Sequence, residues 1–207
     1  MKKVAAFALS FLLTMPSVLA GSSQATPSKA AAKPPLPVGS RRPVLDVTTL
    51  KGGRRPSWPE LNGKVVVVDF WATWCSPCLA SFPKMNALKS QMSGKPVEFL
   101  SVSYETPGQV EPVLRKHPLE TTICLDNDFR TFKAFNAWGI PSVFVFDKRG
   151  ALAAVVYPED ASPALIQTVL NGSIPAVEQE KAWDDPAGAE ASFRAMREKA
   201  VKEQQQR

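Results

Sequence analysis

The sequence predicts an α/β protein, a mixed β-sheet flanked by helices, and three observations carry this prediction. The run of β-branched and aromatic residues at 64–71 (KVVVVDFW) is typical of a strand buried on both faces. A helical spacing of apolar residues follows it and continues to about Met92. Strand-like and helix-like segments then alternate as far as residue 170. Because such alternation is typical of a sheet covered by helices, we expect one domain at 41–171.

Local patterns predict the remaining elements of this domain. Strands are expected at 44–47, 97–104, 121–125, 142–146 and 152–156. Helices are expected at 109–116, 129–138 and 162–170, and turns at 51–53 and 147–150. The order is therefore a strand, a repeated strand–helix unit, a hairpin and a last helix, with no internal repeat.

Residues 1–20 have the pattern of an export signal. Lys2 and Lys3 precede a short apolar run, and the small residues that follow predict cleavage after Ala20, with cleavage after Ala25 as the alternative. The apolar run is too short for an ordinary transmembrane helix. We therefore expect an exported, periplasmic protein, with an uncleaved N-terminal membrane anchor as the alternative.

Two further segments lie outside the predicted domain. Residues 21–40, rich in Ser, Ala, Pro and Lys, are expected to be a flexible linker, and 172–207 a polar tail that is helical or partly disordered. Loss of residues 1–20 removes two of the 25 basic residues and none of the 19 acidic ones, which leaves a net charge of +4. This weak charge, without a recognition motif, argues against nucleic-acid binding. No sequence feature predicts an oligomeric state.

Cys75 and Cys78 lie three residues apart, just after the buried strand and at the start of a helix. At that spacing the two side chains are close enough to form a small disulfide. The helix N-terminus stabilises a Cys75 thiolate, and Cys78 is placed to attack a mixed disulfide formed at Cys75. Between them, Ser76 and Pro77 complete the loop, and Pro77 suits the first helical turn.

Zinc sites also use this cysteine spacing, but they need two more ligands. The only other candidate ligands are Cys124 and His117. His117 precedes a proline at a predicted helix end, so we expect it to be a surface residue. Cys124 is interpreted as a small buried hydrophobe rather than a third redox thiol. A purely structural disulfide would close too small a loop to remove much chain entropy. We therefore expect no metal and no cofactor beyond the redox-active Cys75–Cys78 disulfide.

Asp69 lies inside the apolar strand, six residues before Cys75. A carboxylate is rarely buried without cause. A buried, partly protonated Asp69 is suited to accept the Cys78 proton through a water molecule. The alternative is an aspartate that only binds nearby backbone.

The segment 67–78 (VVDFWATWCSPC) strongly resembles the thioredoxins, and its Ala72-Thr73-Trp74 resembles the TlpA/ResA-like exported reductases. Asp69 matches the buried acid of thioredoxins, and Ile140-Pro141 is similar to their cis-proline turn. The resemblance covers roughly 38–170. It implies a thioredoxin fold with an N-terminal strand or hairpin extension and an inserted helix–strand element.

The resemblance also implies a mechanism. A disulfide-containing protein substrate docks over Trp74, Ile140 and Pro141, Cys75 attacks it, and Cys78 resolves the mixed disulfide. A membrane thiol-electron transporter is the implied electron donor, and reduction of apocytochrome c cysteines is a common task in the family. The chain departs from the pattern of many TlpA-like proteins, which have Asn or another residue at the position of Asp69 and Glu at the position of Ser81. The resemblance therefore implies that Asp69 does the work of the missing glutamate.

Three other functions are compatible with parts of this pattern. A disulfide oxidase or isomerase could share the fold, but strong oxidants usually carry a histidine between the cysteines, and Ser76-Pro77 does not. A partner-binding module would keep its cellular role when both cysteines are replaced by serine. A copper carrier is disfavoured by the cysteine spacing and the missing histidine partner.

Overall fold

The computed structural model describes residues 36–52, 55–137 and 139–176, and four helical residues beyond them, Ala195, Glu198, Lys199 and Lys202. The predicted export signal and most of the predicted linker and tail lie outside the described residues. No helix within the described ranges is both long enough and apolar enough to cross a membrane.

Between residues 36 and 176, the described part of the chain contains six strands and four helices. The strands are β1 (Thr48–Thr49), β2 (Val65–Phe70), β3 (Val97–Ser103), β4 (Thr122–Leu125), β5 (Ser142–Phe146) and β6 (Leu152–Val156). The helices are α1 (Ser76–Gln91), α2 (Pro107–Lys116), α3 (Arg130–Phe135) and α4 (Pro163–Leu170). Between residues 65 and 170 each predicted element is present, with ends shifted by a few residues.

The strands form one mixed sheet in the order β1-β4-β3-β2-β5-β6. β2 pairs in parallel with β3, and β3 with β4, whereas β5 and β6 are antiparallel. All six residues of β2 are buried, as the apolar run predicts for a central strand. The carboxyl ends of β2 and β3 and the start of β5 therefore meet at one edge of the sheet.

Helices cover both faces of the sheet. Phe70 at the end of β2 packs edge-to-face on Phe132 and Phe135 of α3, at centroid distances of 4.7 and 5.1 Å. Trp71 packs edge-to-face on Phe82 of α1 at 5.1 Å. Because successive residues of an extended chain point to opposite faces, α1 and α3 lie on opposite sides of β2.

The prediction of a strand at 44–47 is wrong. The backbone N–H of Asp46 donates to the hydroxyl of Thr131 (2.9 Å), a helix side chain, and Val44 is 60% exposed. The N-terminal extension consists instead of the two-residue strand β1, antiparallel to β4, and an isolated bridge between Arg41 and Ala151.

The predicted helix at 129–138 is shorter, because α3 ends where Asn136 adopts a left-handed conformation with φ +57°. Asparagine tolerates this conformation better than most residues and commonly ends a helix. The predicted insertion corresponds to α2 and β4, which lie between β3 and α3.

Candidate active site

The two cysteines lie at the N-terminus of α1 and form a disulfide, with their Cα atoms 5.2 Å apart. Cys75 is the N-cap, and its Sγ accepts a hydrogen bond from the backbone N–H of Cys78 (3.3 Å). Ser76 and Pro77 form the exposed first turn, where the missing N–H of proline leaves no helical bond unmade. When the disulfide is reduced, the backbone N–H of Cys78 and the helix dipole favour negative charge on the Cys75 sulfur.

Asp69 lies in β2 and is 1% exposed. Burial raises its pKa to about 7, against a smaller lowering by a hydrogen bond from Ser101. Ser101 Oγ donates to Asp69 Oδ2 (3.4 Å), whereas Oδ1 has no partner among the described residues. The hydrogen-bond partner of Asp69 is thus the side chain of Ser101 rather than nearby backbone. A carboxyl whose pKa is about 7 gains and loses its proton near neutral pH.

Trp74 precedes the reactive pair and is 42% exposed. Its indole N–H donates to the hydroxyl of Tyr104 (2.7 Å), which directly follows β3. Tyr104 is buried and stacks on Phe129, with ring centroids 4.6 Å apart. Tyr104 is therefore held in the core, and its hydrogen bond fixes the orientation of the partly exposed Trp74 ring.

Glu105, the residue after Tyr104, binds the same active-site loop at Thr73. Its carboxylate accepts hydrogen bonds from the Thr73 backbone N–H (2.6 Å), the Thr73 hydroxyl (2.7 Å) and the Ser103 hydroxyl (3.2 Å). Burial raises the pKa of Glu105, and the hydrogen bonds from Thr73 act in the opposite direction. These three hydrogen bonds are all donated to the carboxylate, which suits its ionised form.

Tyr104 and Glu105 are not among the site residues that the sequence predicts. The signal that could have found them is positional, because polar residues that follow a strand lie next to those following its parallel neighbour. Phe70 pairs with Val102, so Thr73 and Trp74, three and four residues past Phe70, lie beside Tyr104 and Glu105, two and three residues past Val102.

The peptide bond between Ile140 and Pro141 is cis, in agreement with the resemblance to the thioredoxin turn. Pro141 directly precedes β5, whose first residue Ser142 pairs with Phe70 at the end of β2. The turn therefore emerges at the edge of the sheet from which the Cys75 loop also emerges. Both Ile140 and Pro141 are partly exposed.

A residue near the C-terminus also reaches this edge. The Lys199 ammonium lies 5.8 Å from the ring centroid of Trp74, and its charge contributes to lowering the pKa of Glu105. On α1, the hydroxyl of Ser81 donates to the Cys78 carbonyl (2.7 Å).

Cys124 and His117 lie apart from this site. Cys124, on β4, is fully buried; burial, with the charge of Glu98 as a smaller cause, raises the pKa of its thiol to about 12. Its Sγ donates to the Thr122 carbonyl (3.5 Å), as expected of a packed hydrophobe. His117 is exposed at the end of α2. The part of the chain that the structure describes contains no group of three or more potential metal ligands.

Comparisons with known proteins agree with this fold. The model of the AhpC/TSA family matches residues 38–155. The thiol-disulfide oxidoreductase ResA of Geobacillus kaustophilus is 32% identical over 125 residues, which cover 60% of this chain and 71% of that protein. ResA of Bacillus subtilis is 30% identical over 129 residues, covering 61% and 70%.

Among solved structures, the thioredoxin domain of a thiol-disulfide oxidoreductase from Bacteroides vulgatus is similar in fold. It has a TM-score of 0.56 and 23% identity, and the match covers 68% of this chain and 99% of that one. The chain therefore belongs to the AhpC/TSA family of the thioredoxin superfamily and is a thiol–disulfide oxidoreductase related to ResA.

Proposed function

We propose that the protein is an exported reductase of protein disulfides. The observation that carries this proposal is the position of Cys75, capping α1 beside the exposed ring of Trp74. The direction is supported by the residues between the cysteines. Ser76 and Pro77 carry no charge that would stabilise the thiolate further, whereas strong oxidants owe their potential to a stabilised reduced form.

The reaction starts from the reduced pair. The Cys75 thiolate attacks one sulfur of a substrate disulfide, forms a mixed disulfide and releases the other sulfur as a thiolate. Cys78 then loses its proton and attacks Cys75, which releases the second substrate sulfur. Two electrons have passed to the substrate, and the protein is left with the Cys75–Cys78 disulfide that the structure contains.

In this mechanism Asp69 accepts the proton that Cys78 loses. Its burial beneath α1 and its pKa of about 7 support this role, because proton transfer is most efficient when the acceptor titrates near the working pH. Trp74, Ile140 and Pro141 form the surface on which the substrate docks, since all three are at least partly exposed and lie at one sheet edge.

The pattern of residues 1–20 supports export to the periplasm, after cleavage or as an N-terminal anchor. A thiol that has been oxidised outside the cytoplasm needs an electron source, so the proposed donor is a membrane thiol-electron transporter. The proposed substrates are disulfide-containing proteins, such as apocytochrome c with oxidised cysteines. The redox chemistry resides in the cysteine pair, without a cofactor.

The reduction potential of the Cys75–Cys78 pair tests the direction. Purified protein is equilibrated in dithiothreitol or glutathione buffers, and its redox state is followed by tryptophan fluorescence and thiol alkylation. A potential near or below about −230 mV supports a reductase. A potential above about −180 mV overturns the proposal in favour of a disulfide oxidase or isomerase.

A further inference from the structure

The two segments that build the docking surface contain no charged side chains. The segment around Cys75 has no Asp, Glu, Lys or Arg from residue 70 to residue 83, and the segment around the Ile140–Pro141 turn has none from 134 to 146. Glu105 lies at the same edge of the sheet, but it is only 2% exposed. A charge that a docked substrate can contact beside Cys75 must therefore come from another part of the chain.

Lys199 brings a positive charge to this surface from near the C-terminus. Its ammonium lies 5.8 Å from the ring centroid of Trp74, within the distance at which the face of an indole attracts a cation. Trp74 directly precedes Cys75 and is 42% exposed, so the lysine lies beside the docking ring without enclosing it. Burial raises the pKa of Glu105, and Lys199 is one of the groups that lower it, so the charge of Lys199 acts on the active-site loop.

The orientation of the Trp74 ring next to this charge is fixed. Its indole N–H donates to the hydroxyl of the buried Tyr104 (2.7 Å). Lys199 itself is exposed and has no ion-pair partner among the described residues. Because an ammonium carries three N–H donors, Lys199 retains donors for an acceptor on a substrate.

The other exposed charges in the neighbourhood do not replace Lys199. Glu198 and Lys202 are both exposed and have opposite signs, so their charges offset one another at a distance. Asp128 is exposed after β4, which lies two strands from β2 and therefore about 10 Å away across the sheet. Lys199 is thus the charge that the structure places against Trp74.

We propose that Lys199 is a specificity-determining residue that favours protein disulfides flanked by an acidic residue. The inference rests on the proposed function, because it requires that the substrate docks over Trp74. When a substrate sulfur bonds to Cys75, the residue next to the substrate cysteine lies about 3.8 Å from that cysteine, measured between Cα atoms. A carboxylate on that residue is within reach of the ammonium beside the Trp74 ring, whereas a lysine there meets a like charge.

This preference should be modest and should act on one step. Because Lys199 is exposed, water and salt screen its pairing with a substrate carboxylate, and exposed ion pairs of this kind change an equilibrium by about two- to fivefold. The effect falls on the formation of the mixed disulfide at Cys75, in which the substrate meets the protein.

Lys199→Met tests the proposal, because it removes the charge and nearly keeps the length of the side chain. Lys199→Glu reverses the charge. Lys116→Met is the matched control, because Lys116 is exposed at the far end of α2, about 15 Å from the first residue of that helix beside the active-site edge.

The substrates are three peptide disulfides that differ only in the residue next to one cysteine, which is Asp, Asn or Lys. The reduced full-length protein is mixed with each peptide for a single turnover, then acid-quenched and alkylated, and the bimolecular rate constant is measured. Each rate constant is divided by that of dithiothreitol with the same peptide, because a flanking charge also changes the reactivity of the peptide itself.

The wild type should reduce the Asp peptide about two- to fivefold faster than the Asn peptide, and the Lys peptide more slowly than either. Lys199→Met should bring the three normalised rates together, Lys199→Glu should reverse their order, and Lys116→Met should keep the order of the wild type. Raising the salt from about 0.01 M to about 1 M should abolish the preference, because the Debye length falls from about 30 Å to about 3 Å.

Two outcomes overturn the inference and leave the proposed function intact. In the first, the wild type reduces the three peptides at equal normalised rates. In the second, Lys199→Met changes all three rates by the same factor, which shows that the lysine acts on Cys75 or obstructs docking without distinguishing the charge of the substrate. If the wild type reduces none of the peptides, the proposed function fails together with this inference.

Discussion

The indole N–H of Trp74 donates a hydrogen bond of 2.7 Å to the hydroxyl of Tyr104, thirty residues further along the chain. The bond joins the loop before Cys75 to the end of β3. Glu105 joins the same two segments through Thr73. The loop that contains Thr73 and Trp74 is therefore held in place by the residues that follow β3.

Tyr104→Phe should weaken substrate docking without damaging the redox pair. The variant keeps the ring that stacks on Phe129 but leaves the Trp74 N–H without its acceptor. We expect the free energy of unfolding to fall by about 0.5–1.5 kcal/mol. In a peptide-disulfide reduction assay, KM should rise while kcat stays near the wild-type value. An unchanged KM would show that Trp74 needs no fixed orientation to bind substrate.

Glu105→Gln should destabilise the active-site loop. The amide group cannot accept hydrogen bonds at both of its ends, so Thr73 or Ser103 loses its acceptor. We expect the free energy of unfolding, measured by urea titration, to fall by about 1.5–3 kcal/mol. Glu111→Gln, which removes an exposed charge from α2, is the matched control and should have little effect. Equal stability of the two variants would contradict the bracing role of Glu105.

Asp69 should make the protein less stable as the pH rises. Its folded pKa is about 7 and its ordinary value 3.8, so the folded state binds its proton more tightly than the unfolded state does. This contribution to stability is fully present below pH 3.8 and is lost as pH rises to about 7. The loss is on the order of 4 kcal/mol.

Asp69→Asn should remove this pH dependence and raise the free energy of unfolding at pH 8, as measured by urea titration between pH 4 and 8. Asp147→Asn is a control of opposite sign, because burial raises the folded pKa of Asp147 but the hydrogen bonds from Ala151 and Arg149, with the charge of Arg149, together lower it by a larger amount. Its contribution is present above the ordinary pKa and lost in acid. If Asp69→Asn is less stable than the wild type at pH 8, burial of the ionised Asp69 carboxylate does not cost the folded protein the expected free energy.

Cys124 should be dispensable for the reaction. Its thiol is buried, and its pKa of about 12 keeps it protonated at pH 8, so alkylation of the native protein should be slow until the chain unfolds. Cys124→Ala should reduce peptide disulfides as the wild type does, whereas Cys75→Ser should be inactive and Cys78→Ser should accumulate the mixed disulfide. Rapid alkylation of Cys124 in the folded protein would contradict this burial.

Local sequence patterns were sufficient where the physical cause is local. The run at 65–70 predicts a central strand, because only a position buried on both faces accommodates continuous β-branched residues. Pro77 suits the first turn of a helix, and the helical spacing of apolar residues after it predicts that a helix starts near the cysteines. The same reasoning failed at 44–47, where Asp46 bonds to a helix side chain instead of a strand.

The sequence by itself determined the α/β order of elements, the redox pair at a helix N-terminus and the presence of an acid in the central strand. Only the tertiary structure decided what surrounds them. Glu105 and Ser101 each lie 32 residues from Thr73 and Asp69, the residues that they bind. These contacts depend on the register between β2 and β3, and no local pattern encodes that register because it is set by the packing of the whole sheet.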